Sequence, residues 1–84
     1  MSQMAINDLE SIWNVTLSNN CKEKADILYT LLISQIKQIA SNFTVGKSIE
    51  NTREGYRVHH INNHLIYYRA DLENRIEVMR ILNK

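Results

Sequence analysis

The stretch Gly55-Tyr-Arg-Val-His-His-Ile-Asn-Asn-His-Leu-Ile-Tyr-Tyr-Arg-Ala70 decides the architecture of this chain. Two runs of strand-forming residues, 56–61 and 64–70, are separated by Asn62-Asn63 alone. Such a connection predicts a β-hairpin, because Asn tolerates the positive φ that a type I′ turn requires. The turn also predicts the register: if Ile61 faces His64, then Val58 faces Tyr67 and Arg57 faces Tyr68. A second turn near 71–74 leads into Arg75-Ile-Glu-Val-Met-Arg-Ile-Leu82. Continuing the ladder through it pairs Tyr67 with Val78 and Tyr68 with Glu77.

This register sorts the side chains onto two faces, since neighbours along a strand point in opposite directions. Tyr56, Val58, His60, Leu65, Tyr67, Ile76, Val78 and Leu82 share one face with Arg69 and Arg80. The other holds Arg57, His59, Ile61, His64, Ile66, Tyr68, Glu77, Met79 and Ile81. The first is expected to meet the core, with Arg69 and Arg80 bracing the sheet or its rim. The second mixes polar and large apolar groups as an interaction surface would. Its candidate partner-binding residues are Arg57, His59, His64, Tyr68 and Met79. Protonation of the histidines on that face would make partner binding sensitive to pH near 6–7.

Upstream, the hydrophobic period changes from two to that of a helix. Ile6, Leu9, Ile12, Trp13, Thr16 and Leu17 recur at helical spacing behind Ser2, a candidate N-cap. Ser18-Asn19-Asn20 interrupts the pattern, and Asn20 with Glu23 makes a capping box for a second helix. That helix has the apolar stripe Ala25, Leu28, Tyr29, Leu32, Ile36, Ile39, Ala40 and Phe43. Ile27 and Leu31 fall on its opposite side, suited to the first helix or to a partner. The fold class is α+β: an antiparallel helical hairpin packed on one face of a small antiparallel sheet of about three strands, in one domain spanning 1–84.

Composition narrows the function classes. The chain has 84 residues, 10 Lys+Arg, 9 Asp+Glu, one Cys and a formal net charge of +1. So even a balance gives no global drive toward nucleic acid. A lone Cys21 excludes an internal disulfide scaffold. No run of about 18 apolar residues spans a membrane, and the start has no export signal, so a cytoplasmic protein is expected. Residues 1–46 carry three Lys against four acids, whereas 47–84 carry seven Lys+Arg against five acids. Every arginine lies in the second half.

The motifs that carry chemistry are incomplete. Gly46-Lys47-Ser48 matches only the end of a phosphate-binding loop, with Ser41 where the first Gly belongs and a helix where a strand should precede it. His59 and His60 point to opposite faces and cannot share an ion, and His59 with His64 lacks a third ligand, so no metal or other cofactor is expected. Cys21 sits in a first helical turn, where the dipole lowers a thiol pKa, but no base accompanies it. Arg57, His59 and His64 alone begin to resemble an acid–base set for RNA cleavage. No catalytic set is assigned.

The run 54–71, followed by Arg75-Ile-Glu-Val-Met-Arg-Ile-Leu82, resembles the ParE toxins of type II toxin–antitoxin systems, within the RelE/ParE superfamily. Asp8-Leu-Glu-Ser-Ile-Trp13 is similar to the family's first helix, so the resemblance covers nearly the whole chain, shortened at both ends. It implies a RelE/ParE-like fold and a plasmid-stabilising module whose toxin inhibits DNA gyrase and is neutralised by a cognate ParD-type antitoxin wrapped around it. With few residues before the first helix, an unpaired sheet edge is expected, inviting self-association or a toxin–antitoxin hetero-oligomer. The related RelE toxins cut mRNA on the ribosome. Their cationic groups would fall on Arg57, His59 and His64, and their further catalytic Arg and aromatic residue lie beyond Asn83-Lys84. The alternatives are thus a RelE-like ribosome-dependent endonuclease, or a non-toxic shortened relative that only binds antitoxin.

Overall fold

The computed structural model describes residues 1–19, 21–49, 55–73 and 75–83. Two α-helices, α1 (Gln3–Asn19) and α2 (Lys22–Ser41), are followed by a 3₁₀ turn (Phe43–Val45). Four strands come next: β1 (Lys47–Ser48), β2 (Tyr56–Ile61), β3 (His64–Ala70) and β4 (Ile76–Asn83). They form one antiparallel sheet in the order β1-β2-β3-β4. The fold is α+β as expected, with one short strand more than the three read from the sequence. At two residues, β1 is too brief to show alternation.

Ser2 caps α1, its Oγ accepting the Ala5 N–H at 3.1 Å. Cys21, in extended conformation, precedes α2 without a side-chain cap bond. The expected capping residue Asn20 lies outside the described residues, as do Glu54 and Asn74 of the hairpin run and second turn. The β2–β3 register is the one read from the turn, with Ile61 opposite His64, Val58 opposite Tyr67 and Arg57 opposite Tyr68. Only Asn62 of the two turn residues takes positive φ, at 52°, whereas a type I′ turn needs it at both. At the β3–β4 turn, Asp71 Oδ1 accepts the N–H groups of Glu73 and Arg75, both at 2.9 Å.

The β3–β4 register departs from expectation. Tyr67 faces Arg80 and Tyr68 faces Val78, leaving Met79 as the extra residue of a β-bulge. The bulge puts Val78 and Ile81 on the same face despite a spacing of three. That face is the one the helices cover. The core cluster takes Ala5 and Leu9 from α1, Leu32 and Ile39 from α2, Ile66 and Tyr68 from β3, and Val78 and Ile81 from β4. For β2, β3 and residues 80–82 the two faces are therefore exchanged relative to the sequence expectation, the Tyr68 face being the core face and the Tyr67 face open, whereas Ile76 and Val78 lie on the core side as expected. Ile27 is 68% exposed and does not pack against α1.

β4 is an edge strand, but the start of α1 occupies it. Ser2 N donates to Val78 O at 2.8 Å and Ser2 Oγ to Met79 O at 2.8 Å. Asp8 Oδ2 accepts the Ile81 N–H at 3.0 Å, while its two oxygens also receive Arg80 Nε at 2.7 Å and Nη2 at 3.0 Å. The expected unpaired edge is thus partly filled by the chain itself.

Candidate partner-binding surface

Arg57, His59, His64 and Tyr68 lie on the sheet face beneath the helices, which corrects their placement on an exposed surface. Each departs from solvent for a physical reason. Tyr68 is fully buried, and its O–H donates to Phe43 O at 2.6 Å while accepting the Gly46 N–H at 2.8 Å. Burial pushes its pKa up, opposed by the Gly46 N–H and the nearby Arg57 cation. Arg57 donates to Gly46 O at 2.8 Å and stacks over Phe43, 5.1 Å from the ring centroid. Phe43 in turn meets Tyr68 edge-on at 5.5 Å. A Cβ on Gly46 would sit 2.8 Å from Tyr68 Cε1 and 2.9 Å from Val58 O, so only glycine fits. The Gly46 N–H, bonded to Tyr68, is not open to a phosphate.

His59 Nε2 is hydrogen-bonded to the Gln35 side-chain amide of α2, 2.7 Å from Oε1. Desolvation, then repulsion from His60, lowers its pKa. His64 is 9% exposed, its pKa is lowered by burial, and its Nδ1 is enclosed without a hydrogen-bond partner. His60 points to the open face and is exposed. Met79 is half-buried in the bulge, its carbonyl held by Ser2.

The uncovered face is a three-by-three array read across β2, β3 and β4. Its rows are Tyr56, Arg69 and Glu77; Val58, Tyr67 and Arg80; His60, Leu65 and Leu82. Val58 is only 7% exposed even here, beneath its neighbours and opposite Lys47 of β1. Arg69 lies 5.8 Å from the Tyr56 ring centroid. Arg80 is held by Asp8, whose carboxyl is kept below its ordinary pKa chiefly by that guanidinium, with the Ile81 N–H adding to it. Among the described residues, aromatic and aliphatic groups thus alternate with Lys47 and Arg69 against Glu77, while Arg80 is paired with Asp8. That composition suits a protein surface that is both apolar and acidic.

Sequence reasoning missed Asp8 and Gln35, which tie helices to sheet. Asp8 carries a usable signal: it lies between Ala5 and Ile12 at helical spacing, so a carboxylate on the buried stripe implies a cation opposite. Gln35 carries no comparable signal.

The helical hairpin thus covers one face of the antiparallel sheet and leaves the other open. The model of the family described as the ParE toxin of type II toxin–antitoxin systems, parDE, matches residues 1–84, and the chain belongs to that family. Toxin ParE1 of Mycobacterium tuberculosis (strain H37Rv) is 30% identical over 84 residues, spanning 100% of this chain and 86% of that protein. Toxin ParE1 of Caulobacter vibrioides is 31% identical over 84 residues, spanning 85% of its own length.

Proposed function

We propose that this protein is the toxin of a ParDE-type module, that it inhibits DNA gyrase in the cytoplasm by protein contact rather than catalysis, and that a ParD-type antitoxin neutralises it. The observation that carries the reading is the family match along the whole chain. The packing of Arg57, His59 and His64 beneath the helices supports contact over catalysis, because the one cluster suited to RNA cleavage is spent on Gly46, Gln35 and the core. The open sheet face, centred on Tyr67 and Arg69, is the surface assigned to partners.

The test is supercoiling by purified gyrase with this protein titrated in, linear DNA being scored on the same gel. Loss of supercoiling or accumulation of cleaved DNA is expected, reversed by the antitoxin. The double variant Tyr67→Ala with Arg69→Glu should need about tenfold more protein, as the loss of about 1.4 kcal/mol implies. No effect from a large excess of folded protein, with antitoxin binding retained, would leave a module that only binds antitoxin. Cleavage of mRNA in a translating extract would instead favour the ribonuclease.

A further inference from the structure

We infer that His64 is an acid-triggered pin between the second half of α1 and the end of the sheet: neutral, it seats in the core, and protonated, it moves into an adjoining cleft and frees α1 to lift. Of the three histidines it alone is buried, at 9% exposure, on the face the helices cover. Its ring borders a cleft of about 510 Å³ lined from α1 by Ser11, Ile12, Val15 and Thr16, and from the sheet by Asn63 and Asn83. Ile12 also packs on the core cluster, so helix and imidazole share one seam.

The seat suits only the neutral ring. An imidazolium donates from both nitrogens, but Nδ1 is enclosed without a hydrogen-bond partner, and burial lowers the pKa. The surrounding elements supply no counter-charge. The α1 residues along the cleft are all un-ionised. Across the ladder His64 faces Ile61 of β2 and Asn83 of β4. Beyond Ile61 on that face comes His59, itself bonded to Gln35 of α2. One turn up α1, Asp8 is taken by Arg80 and the Ile81 N–H, while Glu10 lines the groove on the α2 side. Among the described residues, therefore, no carboxylate is placed to neutralise a charged ring in the seat. The cleft offers what the seat lacks: the hydroxyls of Ser11 and Thr16, the amide oxygens of Asn63 and Asn83, and water. Once the ring leaves, Ile12 loses part of its packing, and a helix end without packing frays.

The test follows the full-length, isotope-labelled protein by NMR from about pH 7.5 to 5. Imidazole nitrogen shifts report when each histidine takes up its proton, and amide protection, corrected for the intrinsic exchange rate, reports where the fold opens. Opening that needs His64 to leave its seat should lower protection at Ile12 and Thr16 about fivefold between pH 6.5 and 5.5, the unfolded imidazole titrating near 6.5. Leu32 and Ile39 of α2 should hold their protection over the same range. His64→Gln should abolish the change, and His64→Phe, which fills the seat without a titrating group, should do the same if the glutamine variant fails to fold. His59→Gln should leave it in place. Equal loss of protection in α1 and α2, persistence of the loss in both His64 variants, or a His64 that becomes charged while Ile12 and Thr16 stay protected would overturn the assignment.

Discussion

The Tyr68 hydroxyl is engaged from both sides at once, donating to Phe43 O and accepting from Gly46 N–H, in a place water does not reach. Tyr68→Phe keeps the ring and its edge-on contact with Phe43 but strands two backbone groups. A buried group left unsatisfied costs about 1–3 kcal/mol, so the expected loss is about 2–3 kcal/mol with an unchanged denaturant slope. Urea unfolding of the two proteins measures it, and a loss below about 0.5 kcal/mol would show that the hydroxyl is dispensable. Nothing in the sequence separates this tyrosine from Tyr67 beside it. Residue type marks both as amphipathic, and only the polar groups that the helices and the 3₁₀ turn bring decide which is enclosed. Arg57 and His59 read as surface residues for the same reason, because their partners Gly46 and Gln35 are 11 and 24 positions away along the chain.

Along the strands, legibility follows the turns. The Asn62-Asn63 connection leaves no slack, so the whole β2–β3 ladder was readable from it. The β3–β4 ladder was not, since no Gly or turn residue marks the bulge at Met79, and the groups that bond its backbone lie at the other end of the chain. Ser2 and Asp8 hold the backbone of residues 78–81 from the α1 side. One shifted residue then carries Val78 from the expected Tyr67 face to the Tyr68 face. Asp8→Ala tests this element directly. It removes the acceptor for Ile81 N–H and both bonds from Arg80, and should destabilise the fold by about 1–2 kcal/mol, the low end because the Arg80 side chain is 38% exposed. Amide exchange at Ile81 should quicken about tenfold relative to Ile66. Equal slowing factors before and after would mean that α1 does not secure the edge.

At the scale of the molecule, burial sets how stability depends on pH. His59 and His64 both have pKa values lowered from 6.5, so the unfolded chain takes up protons first as pH falls. Their contribution is complete above pH 6.5 and is lost on acidification below it. Asp8, lowered from 3.8, adds a further loss as pH falls through its folded value. Tyr68, raised from 10.0, acts at the other limb, where the unfolded chain ionises first above pH 10.0. A plateau of melting temperature is expected from about pH 7 to 10, falling on either side. His64→Gln should flatten part of the fall between pH 6.5 and 5, and a melting temperature constant from pH 7 to 5 in the parent would refute the assignment. The histidines thus tune the fold rather than an exposed contact. The helical hairpin and the hairpin strands were visible in the sequence, while the choice of covered face depended on how the layers meet. The latch formed by Ser2 and Asp8 on residues 78–81 has one more consequence, in the order of synthesis. α1 leaves the ribosome well before β4, and the two are joined across 72 to 77 positions of sequence. At a translation rate of about 5–20 residues per second, α1 waits several seconds for its counterpart. No nascent fragment that ends before β4 holds the closed fold, so α1 meets the backbone it latches only once residues 78–81 have emerged.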